Sequence, residues 1–126
     1  MIRNMTRKTI IARKQVFCVS ERSKTHGLMF SSRKAVEDTA TILVFAKSVR
    51  ISLHMWFVFY SIDVIFLDDQ YKVVDLKKNF FPFTLSTSKK PAAYALEARS
   101  GTIAASKTRL GDTLSFETGL EGAYAR

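Results

Sequence analysis

The sequence predicts a mainly β domain of the α+β kind, a mostly antiparallel sandwich or small barrel with one to three short helices. Apolar and polar residues alternate at every second position in several short runs, which is the period of a strand. Turn-forming residues separate these runs at short intervals, as they do in sandwiches and small barrels. The 126 residues, 47% of them hydrophobic, suffice for a single domain over residues 1–126. We expect an ordered core over residues 9–116, a flexible basic arm over 1–8 and a flexible tail over 117–126.

The first third of the chain is expected to alternate short strands with short helical turns. Ser20 is a suitable N-cap for a helix that ends at Gly27, because glycine readily adopts the positive φ found at helix ends. A second, brief helical turn is predicted from Ser31 and Ser32 to Glu37. Apolar and β-branched runs predict strands over residues 9–12, 15–19 and 41–45.

The densest concentration of aromatic and β-branched side chains lies in residues 51–68. Its alternation predicts strands on both sides of a break at residues 60–61, and it places Asp63 on the same side as Ile65 and Leu67. A membrane span is not favoured, because the apolar run is shorter than the roughly 20 residues that a spanning helix needs and it includes a histidine and a carboxylate.

The second half of the chain contains a proline-interrupted aromatic segment, Phe80-Phe81-Pro82-Phe83. Since proline cannot donate to a strand ladder, the rings form either a buried plug or an exposed binding wall, and we favour the plug. Polar residues at 68–70 predict a hairpin turn, and residues 84–90 are expected to be irregular. The remaining predicted elements are strands over 71–76 and 113–116, a strand or short helix over 92–98, and a helix from Thr102 to Lys107.

The formal charge of +9 is concentrated in residues 1–34, which contain nine bases against Glu21 alone. A concentrated positive field attracts nucleic acids, anionic membranes and acidic proteins, although it is also typical of a solubilising surface. Cys18, the only cysteine, excludes an internal disulfide and is expected to be buried. Charged residues interrupt the apolar N-terminus, so we predict no signal peptide and expect a cytoplasmic protein. The acid-free first 20 residues would also suit a mitochondrial transit peptide.

Motifs for dinucleotide binding, P-loop phosphoryl transfer, the serine-hydrolase elbow and CxxC zinc sites are absent from the sequence. We therefore predict no cofactor, no metal site and no catalytic residue. The most suggestive pair is His54 with Asp63, which a chain reversal at residues 60–61 would bring together as the acid–base pair of a hydrolase or lyase. In the alternative, Asp63 accepts backbone amides at the bend. If the aromatic segments form a pocket, its ligand-binding residues are His54, Trp56, Asp63, Phe81 and Phe83.

A set of short sequence pieces, taken in order along the chain, resembles the small prokaryotic proteins grouped as domain of unknown function 192. The pieces are GLMF (27–30), ILVF (42–45), HMW (54–56), SIDVIFLD (61–68), PF (82–83), PAAYALE (91–97), Gly101 and GD (111–112). The resemblance marks as structural motif positions Gly27, Met29, Met55, Asp63, Asp68, Pro82, Glu97, Gly101, Gly111 and Asp112.

The chain departs from the family pattern at three positions. His26, Ser61 and Phe83 stand where the family usually has Arg, Pro and Trp. The His-Met pair at 54–55 resembles the archaeal members, which generally lack export signals. The resemblance implies a compact, mostly antiparallel β domain with short helices, and it brings no established activity, cofactor or catalytic residue.

Three function classes remain open. The first is a non-enzymatic domain that binds a small molecule or a protein partner. The second is a nucleic-acid binder that uses the basic residues 1–34 and whose affinity falls steeply with salt. The third is a hydrolase or lyase that uses Asp63 and His54, which we rank last because the sequence supplies no third catalytic group.

Overall fold

The computed structural model describes residues 1–117, which form ten strands, two short α-helices and one 3-10 helix. The strands are β1 (Ile2–Asn4), β2 (Thr9–Ala12), β3 (Lys14–Cys18), β4 (Thr39–Val49), β5 (Ser52–His54), β6 (Ile62–Leu67), β7 (Val73–Phe80), β8 (Leu85–Thr87), β9 (Ala92–Arg99) and β10 (Leu114–Ser115). The α-helices are α1 (Glu21–His26) and α2 (Thr102–Ser106), and the 3-10 helix is Arg33–Val36.

A five-stranded sheet in the order β3-β4-β9-β6-β7 forms the centre of the fold, and only its β3–β4 pair is parallel. The sheet β10-β1-β2 packs on one face, which we call the closed face, where Ile2 and Leu114 join the apolar cluster of Leu96. The pair β5-β8 lies over the other face, which we call the pocket face, where Leu53 packs with Leu43. Within residues 1–117 the fold is therefore a β-rich α+β sandwich without a closed barrel, as the sequence predicts.

Strand β6 shows how the sequence fills both faces. All six of its residues are buried, because it lies between β9 and β7 in the central sheet. Val64 and Phe66 belong to the apolar cluster of the pocket face, while Ile65 and Leu67 belong to that of the closed face. Asp63 therefore lies on the closed face, with Ile65 and Leu67 as predicted.

The local turn signals act as the sequence indicates. Ser20 caps α1 by accepting the Ser23 amide (3.0 Å). Gly27 ends the helix at φ 45° and ψ −119°, a conformation that side-chain-bearing residues rarely adopt. Asp68 Oδ1 accepts the Gln70 amide (2.8 Å) in the turn between β6 and β7.

Residues 1–8 do not form the flexible arm that the sequence predicts. They contain β1, the middle strand of its sheet, in which Ile2 and Asn4 are buried. The prediction was wrong because a three-residue strand gives no periodic signal, and Arg3 pairs with Ser115 near the other end of the sequence. The tail predicted over 117–126 lies, from residue 118 onward, outside the described residues.

The strand predicted through residues 51–60 ends at His54. Met55 O accepts the Phe83 amide (2.8 Å), and Phe57 has φ 59°, so the chain turns here. Phe57 and Phe59 are exposed, although strand alternation in residues 51–60 predicts them on one apolar side with Leu53 and Met55. Aromatic content favoured a strand, but contacts among the rings themselves stabilise a loop instead.

The aromatic segment around Pro82 is mostly exposed. Phe80 is buried at the end of β7, but Phe81 is 63% exposed and Phe83 is 43% exposed. The segment is therefore exposed, and the expectation of a buried plug was wrong, because the segment leads directly into β8, which pairs with β5. Strand β8 itself lies within residues 84–90, which were predicted to be irregular. Among residues 1–117, no helix has the length and apolar character needed to cross a membrane.

Candidate functional site

A cavity of about 160 Å³ opens on the pocket face where the end of α1 meets β4, β5 and β9. Its polar side chains come from α1, β5 and β9, and its apolar side chains come mainly from the core cluster of the pocket face. The lining residues are Glu21, Lys24, Thr25, His26, Gly27, Leu28, Met29, Leu43, Phe45, Ser52, Leu53, His54, Val58 and Glu97.

Glu97 is the buried carboxylate of this cavity. It lies on β9, opposite Thr41 of β4 and Val64 of β6, and is 5% exposed. A carboxylate this far from water is costly unless other groups compensate it. A Cβ built on Gly27 would lie 3.7 Å from Glu97 Oε1, an ordinary contact. Glycine at this position is therefore required by its backbone angles and not by lack of space.

Lys24 supplies the buried cation. Its side chain is 8% exposed, and Nζ donates to Val44 O (2.9 Å) and pairs with Glu21 Oε1 (3.0 Å). The ammonium also lies 4.3 Å from the centre of the Phe45 ring, a cation–π distance. These contacts attach α1 to β4 and fix the position of the positive charge at the cavity wall.

His54 is held in one tautomer by two hydrogen bonds. Its Nε2 lies 3.0 Å from Thr25 O, a carbonyl that can only accept, so Nε2 carries the proton. Its Nδ1 accepts the Trp56 amide (3.2 Å) and is therefore unprotonated. The ring is neutral in this arrangement, and both nitrogens are engaged with the backbone. While these bonds persist, His54 positions the loop and is not available as a general base.

The formal charge of the cavity lining is −1 at neutral pH, because Glu21 and Glu97 oppose Lys24 alone when histidines are counted as neutral. The rest of the wall is apolar and includes Leu43 and Leu53. Such a site can accept hydrogen bonds from a small cation and pack a short apolar chain.

Asp63 lies on the opposite face of the central sheet from His54. Its Oδ1 accepts the Asn79 amide (3.1 Å), and its Oδ2 accepts the amides of Gly101 (3.2 Å) and Ile103 (2.9 Å). The N-cap residue of α2 is a glycine and has no side-chain acceptor. Asp63, on a neighbouring strand, therefore accepts the hydrogen bonds of the backbone amides at the start of that helix. The hydrogen-bond partners of His54 and Asp63 lie in different parts of the fold, so the two do not act as a pair.

The five residues predicted to bind a ligand are separated in the structure. His54 alone among them lines the cavity. Trp56 and Phe83 contact each other outside it, with ring centres 6.4 Å apart, and Phe81 is exposed and does not line the cavity. Sequence reasoning missed Lys24, Phe45 and Leu53 as lining residues, and it marked Glu97 only as a structural motif position. The signal for Glu97 was present, since it is the one charged residue in the run from Ala92 to Ala98.

A second buried carboxylate on the closed face has a structural role. Asp112 Oδ2 accepts hydrogen bonds from Asn4 Nδ2 (3.0 Å), Arg7 Nε (3.1 Å) and the Arg109 amide (2.9 Å). Burial raises the pKa of Asp112, but the hydrogen bonds from Asn4, Arg7 and Arg109 outweigh burial and hold its pKa below the usual 3.8. The network connects β1 to the turn before β10 and uses one of the bases in residues 1–34.

Comparison with known proteins gives a family match and several relatives. The model of the family DUF192, described as Uncharacterized ACR, matches residues 4–116. A UPF0127 protein of Thermococcus sibiricus is 31% identical over 113 residues, covering 75% of this chain and 73% of the relative. A UPF0127 protein of Pyrococcus furiosus is 36% identical over 90 residues, covering 71% of this chain and 75% of the relative.

Solved structures share the fold at low identity. A protein of unknown function from Novosphingobium aromaticivorans superposes with a TM-score of 0.75 at 19% identity, covering 81% of this chain and 74% of the other. A proposed transcription regulator from Sinorhizobium meliloti superposes with a TM-score of 0.74 at 23% identity, covering 79% of each chain. These likenesses are evidence of the fold alone.

Proposed function

The chain belongs to the uncharacterised family DUF192, and we propose that it is a non-enzymatic binding domain whose Glu97 cavity takes a small organic amine. The observation that carries the proposal is a carboxylate, 5% exposed, that lines a cavity of net negative charge. A protonated amine can donate hydrogen bonds to a carboxylate, and its positive charge complements the net negative charge of the lining.

The volume of the cavity limits the size of the ligand. At about 160 Å³, the cavity is smaller than the roughly 300–1,000 Å³ of sites for drug-sized molecules. Since a water molecule takes up about 30 Å³ of liquid volume, only a few non-hydrogen atoms fit. A short alkylamine matches this space better than a nucleotide or a sugar.

The arrangement of the lining orients such a ligand. Lys24 Nζ already donates to Val44 O and Glu21, and its charge repels a second cation beside it. The amine therefore lies towards Glu97, and its alkyl chain contacts Leu43 and Leu53, where burial of apolar surface adds to affinity.

The state of the acid–base groups favours binding over catalysis. The two nitrogens of His54 are engaged with Thr25 and Trp56, and Asp63 accepts amides on the other face of the sheet. Neither group is placed to transfer a proton to a molecule in the cavity.

The basic residues of positions 1–34 give less support to nucleic-acid binding. Arg7 is bonded to Asp112 near β1, and Lys24 is buried at the cavity on the pocket face. The charge is thus divided between two faces of the fold and partly neutralised, whereas a nucleic-acid backbone needs a continuous basic surface.

The test is a calorimetric titration with a series of alkylamines from methylamine to butylamine, with the matching alcohols and carboxylates as probes of charge. We expect the amines to bind and to raise the melting temperature, and we expect the alcohols and carboxylates to do neither.

Glu97→Gln keeps the shape of the side chain and removes its charge, so it should abolish amine binding. Glu117→Gln is the matched control, because Glu117 is 69% exposed and lies outside the cavity. Equal amine affinity in wild type and Glu97→Gln would contradict the proposal, as would preferential binding of carboxylates.

A further inference from the structure

Five exposed aromatic rings contact one another at one end of the pocket face, and a sixth exposed ring, Phe81, lies two positions before Phe83 in the sequence. We call these six residues the aromatic platform: Phe30, Trp56, Phe57, Phe59, Phe81 and Phe83, each between 42% and 66% exposed. Leu85, 67% exposed, follows in the same segment. An exposed group of apolar side chains of this kind marks a site of contact with another apolar phase or partner.

The fold holds these rings outward. Phe83 is the centre of the platform, with ring centres 5.7 Å from Phe57, 5.4 Å from Phe59 and 6.4 Å from Trp56, while Phe30 stacks on Phe57 at 4.9 Å. The Phe30 amide donates to Phe57 O (2.8 Å). Phe30, Phe57 and Phe83 have φ values of 61°, 59° and 58°, which bulky residues rarely adopt. Strained backbone that persists around exposed rings is a feature of functional surfaces.

The segments that carry the platform are basic and contain no acid. Residues 28–34, 46–61 and 77–91 hold eight lysines and arginines and no aspartate or glutamate, and all eight bases are exposed. The platform therefore lies on a part of the chain with a strong positive field. These eight bases do not include Arg7 and Lys24, which pair with Asp112 and Glu21.

A basic cleft is lined by residues that lie next to platform residues in the sequence. It has a volume of about 410 Å³ and is lined by Arg33, Ser61, Asn79, Arg99 and Ser100, together with Val36. Three of these positions follow or precede platform residues by two or three places, since Phe30, Phe59 and Phe81 are near Arg33, Ser61 and Asn79. Within residues 1–117 neither guanidinium forms an ion pair, although Glu37 lines the neighbouring cavity with both arginines and Lys34.

We propose that this end of the molecule docks onto a bilayer that contains anionic phospholipid, with the aromatic platform in the interface and a lipid phosphate in the Arg33–Arg99 cleft. Aromatic rings are favoured at the depth of the headgroups. Exposed lysines and arginines are attracted to the negative surface potential of such a membrane. Guanidinium groups bind phosphate oxygens in a bidentate manner. The inference does not depend on the ligand of the Glu97 cavity.

The chemistry of the platform favours a lipid surface over single-stranded nucleic acid. Base stacking needs free ring faces, but Phe30 and Phe57 cover each other, and Phe83 is occupied by three neighbouring rings. Leu85 has no ring to stack and is the most exposed of the group. A mixed cluster of rings and leucine suits hydrocarbon contact better than it suits bases.

The experiment is vesicle flotation of the full chain with phosphatidylcholine vesicles and with phosphatidylcholine vesicles that contain phosphatidylglycerol. Trp56 is the only tryptophan, so its fluorescence reports directly on the platform. We expect flotation and a blue shift of Trp56 emission with the anionic vesicles, and little of either with the neutral ones. The double variant Phe59→Ser/Phe81→Ser should bind at least roughly ten-fold more weakly, because it lacks two of the rings that binding would bury in the membrane interface. Leu110→Ser is the matched control, since Leu110 is 62% exposed and lies outside the platform, and it should bind as wild type does.

Further variants separate the two parts of the site and guard against misfolding. Leu85→Ser leaves all six rings in place and should also weaken flotation, and Arg33→Gln/Arg99→Gln should remove the preference for the anionic vesicles. Equal flotation of the platform variants and wild type would overturn the proposal. Two other results would also overturn it, in each case for a chain that does not float. Binding of inorganic phosphate would identify an anion cleft only, and binding of a single-stranded RNA oligonucleotide would identify a nucleic-acid surface.

Discussion

The two faces of the central sheet each bury a carboxylate, and they use it differently. On the closed face, Asp63 is 1% exposed and its oxygens accept three backbone amides that belong to other elements. On the pocket face, Glu97 is 5% exposed and lines a cavity together with side chains of α1 and β5. The residue type and the burial are nearly the same, so the difference in role comes from what surrounds each carboxylate. Backbone donors make Asp63 a link between elements of the fold, whereas the cavity beside Glu97 is the basis of the ligand-binding role that we propose for it.

The comparison predicts that Asp63→Ala has the largest effect on stability. The substitution leaves the amides of Asn79, Gly101 and Ile103 without their acceptor, and each buried unsatisfied group costs about 1–3 kcal/mol. We expect the free energy of unfolding to fall by about 3 kcal/mol or more, measured by urea denaturation. Asp63→Asn should be milder, since one acceptor oxygen remains. An unchanged urea midpoint for Asp63→Ala would remove the distinction between the two faces.

Asp112→Asn tests the closed face through the pH dependence of the free energy of unfolding. The pKa of Asp112 is lower in the folded chain than its usual 3.8, so the charged carboxylate stabilises the fold above that pH. This contribution is lost as the pH falls through the folded-state pKa, because the acid is then protonated in both states. At neutral pH the variant should be less stable than wild type by about 2 kcal/mol. The difference should shrink in acid, and a constant difference across the whole pH range would contradict the assignment.

Gly27→Ala tests the backbone that borders the cavity. The new Cβ would meet ordinary van der Waals contacts, but φ 45° with ψ −119° is strained for alanine. We expect a loss of about 1–2 kcal/mol in the free energy of unfolding, visible as a lower melting temperature. Gly111→Ala is the control, because Gly111 has φ 88° and nothing lies within 4 Å of the new Cβ. Its loss of stability measures backbone strain at a position that does not border the cavity. If Gly27→Ala is as stable as wild type, the end of α1 is not constrained as the structure indicates.

Glu97→Gln is expected to have the smallest effect on stability and the largest on binding. The substitution keeps the shape and one acceptor oxygen of the side chain and removes the desolvation cost of a buried charge, so the free energy of unfolding should change by less than about 1 kcal/mol. Amine binding should nevertheless be lost. Denaturation and titration of the same sample give both values, and a loss of stability as large as that of Asp63→Ala would show that Glu97 is structural as well.

Much of the fold could be predicted because its signals are local. The cap at Ser20, the helix end at Gly27 and the turn at Asp68 depend on neighbouring residues only, and all three are confirmed. The side of β6 on which Asp63 lies follows from strand alternation and is also confirmed. The interpretation of residues 55–60 as a strand was wrong, because aromatic content is compatible with a loop when the rings contact each other across segments.

The candidate site was less accessible to sequence reasoning. Its polar groups come from Lys24, His54 and Glu97, which lie far apart in the sequence and meet only because α1 and β5 both pack near β9. The predicted set was assembled from two aromatic stretches, residues 51–68 and 80–83, and therefore mixed residues of the cavity, the platform and the closed face.

By itself, the sequence determined the β-rich class, most element boundaries and the family pattern, because alternation, capping and turn chemistry act over a few residues. Only the tertiary structure decided that Ile2 is core, that Asp63 connects to α2, and that the rings around Phe83 face solvent. Each of these depends on contacts between residues that are distant in the chain. Such contacts are selected by packing and hydrogen bonding over the whole fold, and no local pattern in the sequence records them.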